Sequence, residues 1–389
     1  MDRILRVSLS PRDYQSNQAC TYLYLPATPY EMMDVLDRLN LSSVSQEEIH
    51  YEIEEYHGFH CLSPYLIRNA GLIQLNTLME QLSTLDSEQA IAFCGLIKME
   101  DRFLPTGMPF SRLMDYAHHT QDCLVIADVH SDEELGKFYC DNGFIDAVND
   151  ISGEAYRLLD FGKIGTEMRL AENGVYTNGC YIFQTEEIQH SDWTYELRKP
   201  EYSVRLELKN AANGKTTTLY LPSDPTSMDR CLDEIGAETW QGVSYICTDS
   251  RIPQLKDAIT NIANVAIANR AAQMLDRISD EQLPKYKALL DAFQCEDLEA
   301  AADLLEELDD YVLTREMHSP EEVAMGRLQS LILDPDERSL LVESLDLDNY
   351  GNDIIGQDTA VMTEYGYFHR SDGEPIFAEP KQTGLDMQM

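Results

Sequence analysis

His57, His60 and Cys61 stand together in the stretch YHGFHC, and imidazole and thiolate donors this close are the raw material of a zinc site. No fourth donor follows nearby, and the spacing favours ordinary loop residues. His118 and His119 are adjacent, so on a helix they point two ways. His130 and His318 recur at matching places just before candidate helix caps, which suggests packing or hydrogen bonding there rather than catalysis. Carboxylates are so numerous that no pair stands out as general acid and base. The chain has no Gly-rich phosphate loop, no Gly-x-Ser-x-Gly elbow and no His-Glu-x-x-His helix. We therefore read it as a non-enzyme with no metal and no cofactor.

The chemistry that does stand out is charge. The 389 residues carry 69 acidic and 29 basic side chains, a formal net charge of −40. Such a chain repels free nucleic acid and anionic membranes and draws in basic partners over a distance. Hydrophobic content, 43%, is ordinary for a globular protein. No charge-free apolar run reaches the ~18 residues of a membrane span. The opening MDRILRVSLSPRDYQ lacks an apolar signal core. The nine cysteines are scattered, without a Cys-x-x-Cys pair, and are expected to be mostly small buried hydrophobes. A cytoplasmic protein is expected.

Two acidic clusters are candidate partner-binding surfaces. Residues 296–310 hold eight acidic side chains and no basic one. Leu298, Ala301, Ala302, Leu305 and Leu308 fall on one side of a helix there. Glu299, Asp303, Glu306 and Asp310 fall on the other, with Glu307 beside them. Such a helix accepts like-charge repulsion of a few tenths of a kcal/mol per pair. In EEIHYEIEE, residues 47–55, Ile49, Tyr51 and Ile53 alternate with Glu48, His50, Glu52 and Glu54. That is a strand with a carboxylate-rich face, flanked by Glu47 and Glu55. One reading is an acidic surface that only keeps the protein soluble. The other is a surface that imitates a nucleic-acid backbone: B-DNA carries one charge per ~1.7 Å, so roughly 40 charges match about 20 base pairs.

The elements that position these residues are written twice. LYLPATPYEMMDVLDRLN at 23–40 aligns without a gap with LYLPSDPTSMDRCLDEIG at 219–236. Thr28, Pro29 and Glu31 read as N-cap, N1 and N3 of a helix, and Asp224 and Pro225 repeat the cap and N1. Met32, Val35, Leu36 and Leu39 form an apolar face, matched by Met228, Cys231, Leu232 and Ile235. Upstream of the second copy, Asn213-Gly214 marks a β-hairpin. Three further pairs keep the same order. Residues 87–89 answer 280–282, and VHSDEELG at 129–136 answers MHSPEEVA at 317–324. Finally, 158–183 answers 344–369. In the last block Asp160, Gly165, Val175, Thr177 and Tyr181 match Asp346, Gly351, Val361, Thr363 and Tyr367. We read a tandem duplication: unit one at 1–186, a linker at 187–201, unit two at 202–370 and a flexible tail at 371–389. Each unit runs from a hairpin and helix through a helical middle to a short helix and terminal strand, an α+β class. The middle of unit two is expected to be helical over 280–293 and 295–313.

These blocks resemble the ArdA antirestriction family, acidic DNA mimics of conjugative elements and phages. The resemblance lies in Leu25, Pro26 and Glu31, in EEIHYEIEEY, in Leu75, Asn76 and Leu78, and in NYGNDIIGQDTAVMTEYGYF at 349–368. DFGKIGTEMRLAENGVYTNGCYIF at 160–183 fits the same place in unit one. It implies an elongated, multi-part α+β body with two tandem units, each with a small antiparallel sheet. It also implies an inhibitor that occupies the DNA groove of a type I restriction-modification methyltransferase. Asp132, Glu133, Asp346, Asp348 and Asp353 then join the acidic surface. Family members form homodimers; two units in one chain imply a monomeric pseudo-dimer or a weak homodimer. Unit two lacks the acidic strand, since TWQGVSYICTDSR stands in its place. The second function class is an acidic module that sequesters a basic nucleoid-associated or defence protein without imitating DNA.

Overall fold

The computed structural model describes residues 3–11, 20–41, 49–62, 67, 70–101, 108–262, 264–331 and 334–377. Its strands are β1 (Leu5–Pro11), β2 (Thr21–Leu25), β3 (Ile49–Tyr56), β4 (Cys123–Ala127), β5 (Val175–Thr177), β6 (Cys180–Gln184), β7 (Val204–Asn210), β8 (Thr216–Leu221), β9 (Val243–Ser250), β10 (Tyr311–Thr314), β11 (Val361–Thr363) and β12 (Gly366–Arg370). The helices of the first half are α1 (Pro29–Arg38), α2 (Leu72–Leu82), α3 (Ser87–Asp101), α4 (Phe110–His118), α5 (Asp132–Asp141), α6 (Asp146–Asn149), α7 (Gly153–Tyr156) and α8 (Phe161–Glu172). Those of the second half are α9 (Pro225–Ile235), α10 (Lys256–Thr260), α11 (Val265–Arg277), α12 (Leu283–Ala292), α13 (Leu298–Glu306), α14 (Pro320–Leu331), α15 (Pro335–Ser344) and α16 (Leu347–Gln357). The class is α+β, with four three-stranded sheets among the described residues. Among the described residues no helix is long and apolar enough to cross a membrane.

The repeated words fold alike. The LYLP segments end strands β2 and β8, and the capped helices α1 and α9 follow. Thr28 Oγ1 accepts from the Glu31 amide while Glu31 accepts from the Thr28 amide; Asp224 caps the amides of Thr226 and Ser227. The sheet orders match in pairs, β2-β1-β3 with β8-β7-β9 and β4-β6-β5 with β10-β12-β11. Tyr181 donates to Glu172 at 2.6 Å, and Tyr367 donates to Asp358 at 2.8 Å. His130 and His318 recur because each backbone N–H donates to the capping glutamate, Glu134 or Glu322.

Glycine recurs for a steric reason. A Cβ on Gly165 would meet the Asp132 carbonyl oxygen at 1.8 Å, and one on Gly351 would meet that of Pro320 at 1.8 Å. Helix α8 thus crosses α5, and α16 crosses α14, with backbone against backbone. Alanine gains about 1 kcal/mol of intrinsic helix propensity. Here the neighbour is a carbonyl that cannot rotate away, so the helices must part. Gly351→Ala is expected to destabilise by about 1–3 kcal/mol net, read as a lowered urea midpoint. A variant as stable as the parent would show that the helix pair separates freely.

Contacts divide the chain into two compact units that differ from the sequence repeats. One is Met1–Val7, Tyr24–Ala27 and Tyr51–Glu196; the other is Ser8–Leu23, Thr28–His50 and Leu197–Met389. Helix α1 of the first repeat therefore belongs to the second body. In the first body, β6 runs between β4 and β5, with Val125 and Val175 both opposite Ile182. Helix α3 lies on this sheet: a Cβ on Gly95 would approach the Ile182 side chain at 2.8 Å. Cys61 and Cys94 are joined by a disulfide, a pairing that scattered spacing did not suggest. The segment expected as a linker is anchored on α4. Fully buried Asp115 accepts from the Ser191 amide and from Trp193 Nε1, and lies 2.9 Å from His190 Nδ1.

In the second body, one core joins Leu206, Leu208 and Leu219 of β7 and β8 to Ile235, Ala268, Leu275, Leu289 and Phe368. A fully buried leucine contributes roughly 1.5–3 kcal/mol. The start of the expected tail is packed here: Ile376 is buried and Phe377 rests edge-on against Phe293.

Candidate acidic interaction surface

Helix α13 is built to show carboxylates. Asp297 caps it by accepting from the amides of Glu299 and Ala300 at 2.9 and 3.0 Å. Leu298, Ala301, Leu305 and Leu308 join the core of the second body, and the Tyr286 hydroxyl donates to the Ala301 carbonyl. With that side held, Glu299, Asp303, Glu306 and Glu307 are exposed. Among the described residues none of these four has a cationic partner. The 1.5 Å rise of a helix sets successive members of Glu299, Asp303 and Glu306 about 4.5–6 Å apart along the axis. Phosphates advance about 3.4 Å per nucleotide on one DNA strand, so the two spacings agree within a factor of two.

The helix is shorter than its acidic run suggests. It stops at Glu306, and residues 311–314 form strand β10 rather than further helix. Tyr311 is buried, stacked on Phe368 with ring centroids 5.3 Å apart, and pairs across the ladder with Arg370. A partner about sixty residues away overrides the local helical pattern. Asp310 thus lies on a 3-10 turn, exposed, with its carboxylate 3.9 Å from Arg370.

Strand β3 alternates as expected: Ile49 is buried, Tyr51 and Ile53 are half-buried, and His50, Glu52, Glu54 and Glu55 are exposed. Its charge is partly compensated, because Glu55 pairs with Arg6 at 2.9 Å. Glu47 and Glu48 lie outside the described residues. In the second repeat the corresponding place in the sheet is taken by β9, whose exposed residues Ser244 and Ile246 are uncharged.

Asp132 does not present a free carboxylate. Both its oxygens are bound: it accepts from Arg169 at 2.7 and 3.0 Å, from Thr166 at 2.8 Å and from Tyr176 at 2.8 Å. The hydrogen bond from Arg169 leads in holding its acid far below the usual carboxylate range. Its role is to lock α5 to α8, and Glu133 beside it is the exposed acid. Asp346 is exposed but caps α16, accepting from the Asn349 amide at 3.1 Å. Asp348 accepts from Asn352, and Asp353 is exposed on the same helix.

The tertiary structure adds a buried ionic cluster. Lys287, about 1% exposed, lies 2.8 Å from both Asp34 and Asp37 of α1. Asp34 also pairs with Arg38 at 2.8 Å and accepts from the buried Tyr365 hydroxyl at 3.0 Å. Burial alone would raise the Asp34 acid, but the charges of Lys287 and Arg38 prevail and it lies below its ordinary value. Burial alone would lower Lys287, but Asp34 and Asp37 prevail and raise it. A signal was present in LPKYKALLDAF: Lys287 falls on the apolar helix face with Leu283, Tyr286 and Leu290. Nearby, fully buried Asp249 accepts from Thr28 at 2.6 Å and from Tyr202 at 2.8 Å. Burial pushes its acid up.

The adjacent histidines His118 and His119 have separate partners. His118 stacks on Trp193, and His119 Nδ1 lies 2.9 Å from Asp122. Cys61 is bonded to Cys94, so YHGFHC offers no thiolate ligand. Among the described residues no group of three or more His, Cys, Asp or Glu side chains is placed to hold a metal ion. No family model matches this chain, and no curated protein is significantly similar to it.

Proposed function

We propose that this protein is an acidic, cytoplasmic DNA mimic of the ArdA kind, which occupies the DNA-binding groove of a type I restriction-modification enzyme or a related host defence complex. It is not an enzyme and uses no cofactor. The observation that carries the reading is the outer side of α13, where Glu299, Asp303, Glu306 and Glu307 are exposed and, among the described residues, lack cationic partners. A surface that only maintained solubility would do as well with carboxylates dispersed among lysines in i,i+4 pairs, which stabilise a helix by about 0.2–0.5 kcal/mol each. Here that stabilisation is given up over residues 296–310.

A second reading is supported by the uncharged face of β9 and the compensated Glu55. In it, the chain sequesters a basic protein through α13 without following a phosphate path. Duplex competition separates the two. Inhibition of a type I methyltransferase by the purified chain is expected to fall as competing DNA duplex is added, and to fall with rising salt. Inhibition that duplex leaves unchanged would sink the mimic reading, and capture of a basic protein that does not bind DNA would favour the second.

A further inference from the structure

In so acidic a chain, one groove is basic. It is a cavity of about 510 Å³ in the second body, lined by Arg270, Gln273, Met274 and Arg277 of α11, by Ile278 and Gln282 after it, and by Leu305 of α13. Arg270 and Arg277 are exposed, and among the described residues neither has an ion-pair partner. They lie seven residues apart on one side of α11, with half-buried Met274 between them. The side of α11 facing the groove is thus positive, apolar, positive, at i, i+4 and i+7.

The same body carries a helix without a cover. Helix α15 has ten residues, none of them buried. Leu340 is 66% exposed, and Leu331 just before the helix is equally so. Asp336 and Glu343 flank Leu340 and are exposed, with no cationic partner among the described residues. This side reads negative, apolar, negative, also at i, i+4 and i+7. Seven residues of helix span about 10.5 Å in either case, so the outer charges can be matched while Leu340 meets Met274 and Leu305.

We propose that α15 of one copy docks in the α11–α13 groove of a second copy of this chain. The matched spacing and opposite charges select this occupant, in the manner of an amphipathic helix laid in a groove. A net charge of −40 on each copy opposes the approach. At physiological salt that long-range repulsion is screened beyond about 8 Å, whereas ion pairs in contact within the groove are screened much less. Association is therefore weak and dependent on concentration. Reciprocal docking closes a two-fold dimer, and one-way docking builds a chain.

Sedimentation equilibrium of the full chain tests this. The weight-average mass of the parent is expected to rise from that of a monomer between micromolar and submillimolar concentration. Arg270→Glu with Arg277→Glu is expected to weaken association by about tenfold or more, as is Asp336→Arg with Glu343→Arg, since each lost ion pair accounts for up to about fivefold. Each double variant alone remains monomeric at concentrations where the parent associates, and mixing the two restores association by pairing an acidic groove with a basic helix. Leu340→Ser, an exposed position that leaves the fold intact, is expected to weaken association as well. A parent that stays monomeric throughout overturns the proposal, and so does association unchanged in the arginine variant. If the parent is monomeric while the arginine variant loses methyltransferase inhibition, the groove serves the target protein and self-docking is refuted.

Discussion

Replacing Lys287 with methionine is expected to destabilise the second body by about 3–5 kcal/mol, the cost of leaving a buried carboxylate without its cation. Methionine fills much of the lysine's volume, so the loss is electrostatic rather than a cavity. Asp34, about 3% exposed, would keep Arg38 and Tyr365, but Asp37 would lose its closest cation. Adding Asp37→Asn to Lys287→Met is expected to recover part of the loss, since the carboxylate left with Arg315 at 3.7 Å as its nearest cation is then neutral. The cluster also sets a pH window. The Asp34 acid is lowered in the folded chain, so its contribution is complete above the unfolded value of about 3.9 and is lost as pH falls through the folded one. Lys287 is raised, so its contribution is complete below about 10.4 and is lost as pH rises through the folded value. Urea unfolding from pH 3 to 11 (roughly the span of these two limits) reads both edges. A loss under about 1 kcal/mol in Lys287→Met would show that water reaches the cluster.

The acidic face predicts a different pattern, small effects singly and a large one together. Any one of Glu299→Gln, Asp303→Asn, Glu306→Gln or Asp310→Asn is expected to weaken target inhibition by no more than about fivefold, because an exposed charge contributes about 0–1 kcal/mol. All four together are expected to cost about 2–4 kcal/mol, roughly 30- to 1,000-fold, and to flatten the dependence on salt. Asp310 should matter least, since Arg370 lies 3.9 Å from it. Helix α13 is expected to survive, because its buried side is untouched and like-charge repulsion is relieved. The assay is inhibition of a type I methyltransferase from low to physiological salt, with circular dichroism as the control for folding. A single substitution that abolished inhibition in a folded chain would indicate a hot-spot contact instead. Inhibition unaffected by the fourfold change would remove α13 from the interface.

The difference between the two variants separates fold from function. Lys287→Met is expected to act on stability through a cluster that no exposed surface shows, whereas the fourfold change is expected to act on binding through exposed carboxylates, of which Asp310 alone among the described residues has a cation near it, Arg370 at 3.9 Å. Asp132 shows why exposure must be read together with partners. By sequence it belongs with Glu133 on an acidic helix start, yet Arg169, Thr166 and Tyr176 claim both its oxygens. Its neighbour, one residue on, is exposed.

What the sequence determined by itself is local. Caps at Thr28 and Asp224, and at Ser131 and Ser319, whose hydroxyls accept from the Glu134 and Glu322 amides, the Asn213-Gly214 turn, the alternation of β3 and the two sides of α13 each depend on residues within about four positions of one another. Their hydrogen bonds and periodicities are therefore written in order along the chain. The repeat was legible for the same reason, as one set of local instructions met twice. The tertiary structure decided what depends on distant partners. Residues 311–314 are strand because 367–370 pair with them, against a helical pattern nearby. Helix α1 joins the second body because Lys287 and Tyr365, about 250 and 330 residues away in sequence, meet Asp34 and Asp37 there. Cys61 and Cys94 find each other across 33 residues. In each case the deciding interaction is between groups that only the folded chain brings within a few ångströms, where burial makes an ion pair or a strand ladder outweigh the small preferences of local sequence.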